Sequence, residues 1–299
     1  MSNNDASLMS VKPVIGIIGG SGLYDISGLT DQQWVTVETP WGSPSDQLLT
    51  GNLNGVSCVF LPRHGRGHGI SPSEVNYHAN IAAMKKLGVT DIVSVSAVGS
   101  LKEELAPGTF VVVDQVIDRT RLRNKSFFGT GLVAHVSLAD PFCQRIGQVL
   151  FENAKTLGLS VVQGGTYLVM EGPQFSTRAE SNLYRSWGAS VIGMTNMPEA
   201  ALAREAEICY ATVAMVTDYD CWHEDHDAVS VEAVIKTLTA NASNARSLVS
   251  KVIPSLGHTR KECYAGCCHA LNHAIITAPH KRDPQIVEKL KWIAGRVLS

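Results

Sequence analysis

The hydrophobic period of this chain keeps switching between strand and helix. "VIGII" (14–18) is a short apolar run that ends in glycines, and "VSCVFLP" (56–62) is a second, stopped by Pro62. Between Glu74 and Leu87 the repeat changes. Tyr77, Ile81 and Met84 recur at helical spacing, and Gly88 can close the helix. "DIVSVSAVGS" and "GTFVVVDQVID" return to strand. "DPFCQRIGQVLFENAKTLG" reads as a helix with Asp140 as N-cap, Pro141 at the first helical position and Gly158 at its end. "VVQGGTYLVMEG" reads as a strand, "STRAESNLYRSWG" and "PEAALAREAEI" as helices, and "CYATVAMVT" as a strand. A long helix, "VSVEAVIKTLTANASNARSLVSKVI", and a C-terminal one, "DPQIVEKLKWIAGRVL", complete the chain. Such alternation restricts the fold to α/β, with helices around a mostly parallel or mixed central sheet. No repeat, linker or low-complexity tract divides it. One domain over 11–299 is expected, with residues 1–10 frayed.

The 299 residues can bury a large core, and 44% apolar with 17% charged residues is ordinary for a folded domain. A net charge of -2 provides no global basic field, so neither nucleic acid nor a membrane surface is an expected partner. No apolar run approaches the ~20 residues of a membrane helix. The opening lacks a basic n-region followed by an apolar core, and a cytoplasmic location is expected. The odd count of seven cysteines suits reduced, buried thiols. "CYAGCCHALNH" (263–273) looks like a metal cluster but lacks a second cysteine pair at zinc spacing, so no metal is expected there.

Three motifs carry candidate chemistry. "GIIGGSGLYD" is a glycine-rich turn after the first strand. It is not a Walker loop, a dinucleotide fingerprint or a nucleophile elbow, and reads equally as a tight turn or an anion loop. "LPRHGRGHG" places Arg63 and His64 directly after a strand, where an arginine can clamp a tetraoxyanion bidentately; Arg66 and His68 read as a solvated basic turn. "HEDH" (223–226) is one residue short of a zincin pair. Finally, "TDYD" ends a strongly apolar run with Asp218 and Asp220. On an extended strand both would face the same side, roughly 6.5–7 Å apart. In a poorly solvated cleft two such carboxyls cannot both ionise easily, so one can keep a proton. The alternative is a pair of loop aspartates that cap the next helix.

Taken in order, "GIIGGSGL", "RHGRGH", "VNYHANI", "SAVGSL", "DQVIDRT", "MEGPQFSTRAE", "GMTNMPEA" and "TDYDCW" resemble the S-methyl-5'-thioadenosine phosphorylases, in the trimeric branch of the purine nucleoside phosphorylases. The resemblance runs over nearly the whole chain. It implies a mixed central sheet forming a distorted barrel surrounded by helices, and a homotrimer. The implied reaction is phosphorolysis of methylthioadenosine to adenine and 5-methylthioribose 1-phosphate, in purine and methionine salvage. No metal or organic cofactor is implied, and inorganic phosphate is the co-substrate. By matching positions, Ser21, Arg63, His64, Ser96, Ala97 and Thr195 would bind phosphate. Met194 would pack under the ribose, while Phe175 and Ser176 would line the base pocket. Asp218 and Asp220 would hold the purine edge, with Asp220 the catalytic proton donor to N7. His135 resembles a residue lent by the neighbouring subunit to the 5' pocket, whose apolar wall would be Val231 and Ile235. In relatives that prefer guanosine and inosine, asparagine resembles the counterpart of Asp218, and a glutamate stands where Ser176 does; both differences point to 6-amino purines here. Ser21 and Ser96 stand where many relatives have threonine. A purine nucleoside phosphorylase acting mainly on adenosine is the nearest alternative.

Overall fold

The computed structural model describes residues 12–20, 22–223, 231–257 and 262–298; within 231–240 it fixes the backbone and few side chains. Among the described residues, eleven strands form one mixed sheet. Its centre is parallel: β1 (Ile15–Gly19) pairs with β4 (Val56–Pro62) on one side and β5 (Asp91–Ser100) on the other, and β5 pairs in turn with β11 (Cys209–Asp218). These strands are buried on both faces, which explains their near-continuous apolar sequences. An antiparallel extension adds β2 (Leu29–Val35) and β3 (Leu48–Leu53) beyond β4.

β5 is the fork of the sheet. Its carboxyl end also pairs antiparallel with β10 (Val191–Gly193), through Ser100 and Gly99. One branch runs from β11 through β6 (Phe110–Val112) to β8 (Val161–Gln163), the other from β10 through β9 (Thr166–Val169) to β7 (Gln115–Asp118). β6 and β7 are consecutive, as are β8 and β9, so each pair is one bent ribbon crossing between branches. The sheet thereby returns to β5 as a distorted barrel. This bend is why "GTFVVVDQVID" and "VVQGGTYLVMEG" are two strands each rather than one. At the corner, Gly164 and Gly165 have φ of 86° and 137°, and the Asp114 carboxylate accepts from the Gly165 N–H at 3.0 Å.

Six helices surround the sheet among the described residues: α1 (Tyr77–Lys86), α2 (Gln144–Thr156), α3 (Arg178–Ser186), α4 (Asn196–Glu205), α5 (Val231–Gly257) and α6 (Pro284–Leu298). α3 starts with a capping box between Thr177 and Glu180. α2 begins a turn later than its sequence implies, with Cys143 and not Asp140 at the N-cap. No described helix is long and apolar enough to cross a membrane. The two larger apolar clusters lie one on each face of the central strands: Ile81, Met84 and Leu202 belong to one, Ile17, Leu150 and Val252 to the other; a small third one gathers Leu101, Leu168 and Tyr184. The expected frayed segment 1–10 lies outside the described residues.

Candidate active site

The carboxyl ends of β1, β4 and β11 open onto a single cleft of about 330 Å³, the place where open α/β sheets put ligands. Val95 to Gly99 of β5 line it, together with Gly20 and Gly22 after β1, Arg63 and His64 after β4, Met194 and Thr195 after β10, and Asp218 and Asp220 at the end of β11. Its remaining lining is mostly apolar and includes Met170, Phe175, Ile192 and Met215.

Hydroxyl groups gather at one position along β5. Ser96 Oγ lies 3.0 Å from Tyr167 Oη and 3.3 Å from Thr195 Oγ1. Thr195 stands at the head of α4 without capping it, so its hydroxyl remains available to the cleft. Three residues further along the strand, Gly99 backs the carboxyl pair. A methyl there would stand 3.0 Å from Asp218 Oδ1 and 3.3 Å from Asp220 Cβ. The hydroxyl group and the carboxyl pair are therefore roughly 10 Å apart along β5 by strand rise.

The two aspartates share the cleft for a reason other than strand alternation. β11 ends at Asp218, with a register shift against β5 just before it. Asp220 then takes a left-handed conformation, φ 53°, which turns its side chain back into the cleft. Their environments differ. Asp218 Oδ1 accepts from the Asp220 N–H at 2.8 Å, and Oδ2 accepts from the Thr217 hydroxyl at 2.7 Å. Asp220 Oδ2 is buried with no hydrogen-bond partner among the described residues. Burial raises the pKa of both, and the charge of Asp218 raises that of Asp220 further. Of the two, Asp218 is the better supplied as a carboxylate, and Asp220 is the natural holder of a shared proton.

Arg63 lines the cleft with most of its fork already engaged, which leaves no bidentate face for an anion. It is buried and grips Glu199 of α4, with Nε at 2.9 Å and Nη2 at 3.0 Å from the carboxylate oxygens. Nη2 also reaches Ser94 Oγ at 2.6 Å, and Nη1 donates to Val95 O at 3.1 Å. Of five donors only one, on Nη1, is left for the cleft. His64 is half-buried, with Nδ1 2.9 Å from Ile70 O and its ring stacked on His68 at 4.3 Å. Burial, aided by the Arg63 charge, pushes its pKa down to about 4.

The other expected residues are placed unevenly. Ala97, Met194 and Phe175 line the cleft, and Phe175 is 46% exposed at its rim. Ser176 sits beside it without lining it; its hydroxyl points to Met170 Sδ at 3.8 Å. His135 is exposed, outside the cleft, on a backbone bridge to Ala274. Ser21 and the side chains of Val231 and Ile235 lie outside the described residues, as does "HEDH" beyond His223. Arg66 is the exposed turn residue its sequence suggests, paired to Asp46 and stacked on Trp34. Its neighbour His68 does line the cleft, although it read as part of the same turn. Two positioning residues escaped the sequence reading altogether. Glu199 holds Arg63 and also accepts from Tyr210 Oη at 2.7 Å. Arg123 holds the Met194 segment, donating to Met194 O at 2.6 Å and Met197 O at 2.7 Å.

This fold and cleft match known proteins. Residues 14–254 fit the model of the phosphorylase superfamily, and the chain belongs to that superfamily. It is 62% identical over 289 residues to S-methyl-5'-thioadenosine phosphorylase of Cereibacter sphaeroides, covering 97% of this chain and 100% of the relative. The enzyme of the same name from Rhodospirillum rubrum is 60% identical over 288 residues, covering 96% and 98%. A methylthioadenosine phosphorylase from an antarctic soil metagenomic library superposes with a TM-score of 0.89 at 47% identity, covering 94% of this chain and 99% of that one. A variant of the adenosine/methylthioadenosine phosphorylase of Schistosoma mansoni, in complex with methylthioadenosine, superposes at 0.76 with 38% identity, covering 82% and 92%. Within the superfamily the chain is a member of the S-methyl-5'-thioadenosine phosphorylase family, a group of pentosyltransferases.

Proposed function

We propose that this protein cleaves S-methyl-5'-thioadenosine with phosphate, giving adenine and 5-methylthioribose 1-phosphate. The observation that carries the reading is the spacing along β5: hydroxyl donors at Ser96 and Thr195, and the carboxyl pair beside Gly99. A nucleoside bridging them would put its purine at the carboxyl pair and its anomeric carbon within reach of a phosphate at the hydroxyls. Ser96, Thr195, the backbone at Gly20 and Ala97, and one Arg63 N–H would bind the phosphate, with Ser21 completing the set. His64 donates Nδ1–H to Ile70 O, so its neutral ring offers Nε2 as an acceptor. That lone pair suits a phosphate still carrying one proton, and leaves an unprotonated oxygen to attack C1'.

Breaking the glycosidic bond leaves an oxocarbenium-like sugar and an electron-rich purine. Protonated Asp220 donates to N7 as the bond breaks, and Asp218 accepts from the exocyclic amine. Met194 packs under the ribose, and Phe175 and Ser176 bound the base. The chemistry needs no metal or organic cofactor. The products suit purine and methionine salvage in the cytoplasm.

The decisive experiment is adenine release from methylthioadenosine with and without phosphate. Release that requires phosphate and yields the sugar 1-phosphate supports the reading; equal release without phosphate makes the protein a hydrolase. Adenosine remains a second reading, because the carboxyl pair addresses the 6-amino group common to both nucleosides. Side-by-side kcat/KM values decide between them.

A homotrimer belongs to the same proposal. Val133 and Ile276, bonded backbone to backbone, expose apolar side chains on the ribbon that bears His135. In a trimer that ribbon would be covered and His135 brought to a neighbour's 5' pocket, opposite Val231 and Ile235. An active monomer in light scattering at assay concentration would refute it.

A further inference from the structure

Four thiols that the cleft does not use meet inside the molecule. Cys143 precedes α2, Cys209 opens β11, and Cys263 and Cys267 belong to the segment after α5. All four are buried, and their sulfur atoms lie within 4.8 Å of one another. We propose that Cys143, Cys209, Cys263 and Cys267 form a closed tetrathiolate site for one structural zinc ion.

The spacing suits a single ion. Sulfurs tetrahedrally placed at the usual Zn–S distance stand about 3.8 Å from one another, and Cys209 Sγ lies 3.9 Å from Cys263 Sγ. Disulfide-bonded sulfurs would be about 2.05 Å apart; none of these four cysteines is joined in a disulfide. The surroundings are those of a held thiolate set. The Cys267 N–H donates to Cys263 Sγ at 3.2 Å. Cys143 occupies a helix N-cap, yet its side chain makes no capping bond. Arg145 pairs with Asp91 through Nη2, while its Nε is buried without a partner, and its guanidinium lies beside Cys209 and Cys143. An orphaned cationic donor at the edge of the cluster is what a buried zinc tetrathiolate, with its net negative charge, needs.

Thiolate donors in a closed tetrahedral set select zinc or iron–sulfur chemistry. Sulfurs this close leave room for one ion and not for a multi-iron cluster. Between single ions, zinc outranks iron(II) in affinity for such a site. Binding exchanges four S–H bonds for four Zn–S bonds and releases four protons to solvent, with no change of oxidation state. The ion would tie the start of α2, the start of β11 and the segment 262–298 into one unit. The neighbouring group Glu262, Cys268 and His269 is more exposed and has no part in it.

The test is metal analysis of the full-length protein purified under reducing conditions and equilibrated with zinc. The expected content is about one zinc per chain, with seven thiols titrating after denaturation in chelator. Cys143→Ser and Cys263→Ser should each lower bound zinc about tenfold or more and lower Tm, while kcat/KM at moderate temperature holds. Cys268→Ser and Cys58→Ser should keep the metal. Should the ligand variants fail to fold, cobalt(II) exchanged into the wild type should show the intense visible bands of a tetrahedral thiolate site. Zinc-free protein with all thiols free, loss of four thiols to disulfides, iron in place of zinc, or cobalt without thiolate bands would each overturn the proposal.

Discussion

Arg63 and Glu199 form a bidentate ion pair that is closed to solvent, with N–O distances of 2.9 and 3.0 Å. One partner follows β4 and the other lies on α4, so the pair locks two walls of the cleft together. It also fixes the direction of the single Arg63 N–H left for the cleft. Removing one member of such a pair leaves an uncompensated buried charge, at a cost of about 3–5 kcal/mol. Glu199→Ala should lose stability on that scale in chemical denaturation. Glu199→Gln should lose less and still raise the phosphate KM, since Arg63 would no longer be held by two charged contacts. A Glu199→Gln enzyme with wild-type phosphate KM would mean that the pair is structural only.

Asp220 is the group whose proton matters in the proposed reaction. Asp220→Asn keeps the shape but cannot act as an acid, and kcat should fall roughly 10²–10⁴-fold. Burial and the Asp218 charge raise its pKa. The protonated form is therefore retained to higher pH than an ordinary aspartate allows, and kcat/KM should decline as pH rises through that raised value. The variant should lose this alkaline decline together with the rate. An unchanged pH profile in Asp220→Asn would assign the proton elsewhere.

Much of this site was legible in sequence because its motifs sit at strand ends. Pro62 marks where β4 stops and Arg63 begins, and the "TDYD" carboxyls follow an apolar run that can only be a buried strand. Other features could not be read that way. β2 is largely exposed and has no apolar alternation, and β10 is three residues long. The bend between β8 and β9 depends on a tertiary path that local pattern does not encode. Glu199 sits in "PEAALAREAEI" among ordinary helix formers, and its burial is decided by Arg63, 136 residues away. The thiol cluster is similar: "CYAGCC" lacks a second pair nearby because Cys143 and Cys209 come from other elements of the fold.

Glu205 offers a stability test independent of catalysis. Its buried carboxyl accepts from the Ser126 hydroxyl and the Phe127 N–H, both at 2.6 Å, yet burial prevails and raises its pKa from 4.5 to about 7. The folded protein thus binds this proton more tightly than the unfolded chain. Its contribution is fully present below pH 4.5 and is lost as pH rises through about 7, on the order of 3 kcal/mol. Glu205→Gln resembles the protonated form. It should flatten the decline in stability between those pH values, read from denaturant midpoints at a series of pH. A decline of equal slope in the variant would place its source in other groups.

In the proposed reaction, Asp218 is the group that reads the 6-position of the purine. Both of its oxygens already take hydrogen bonds, from the Asp220 N–H and the Thr217 hydroxyl, so it stands in the cleft as an acceptor. A 6-amino purine offers a donor to it, whereas a 6-oxo purine offers another acceptor and is repelled. Asp218→Asn supplies a donor at that place. It should lower kcat/KM for adenosine and raise the relative value for inosine. Ser176 stands beside the cleft, its hydroxyl against the Met170 sulfur and its carbonyl taking the Cys221 thiol at 3.2 Å. Ser176→Glu can extend a carboxylate toward a purine N1–H, a donor that 6-oxo purines carry and adenine lacks. The double variant should therefore move further toward inosine than Asp218→Asn alone. The measurement is the adenosine-to-inosine ratio of kcat/KM in wild type, single and double variants. A ratio that stays constant across the three would show that these carboxyls do not read the 6-position, and would remove the physical basis for assigning an adenine nucleoside as substrate.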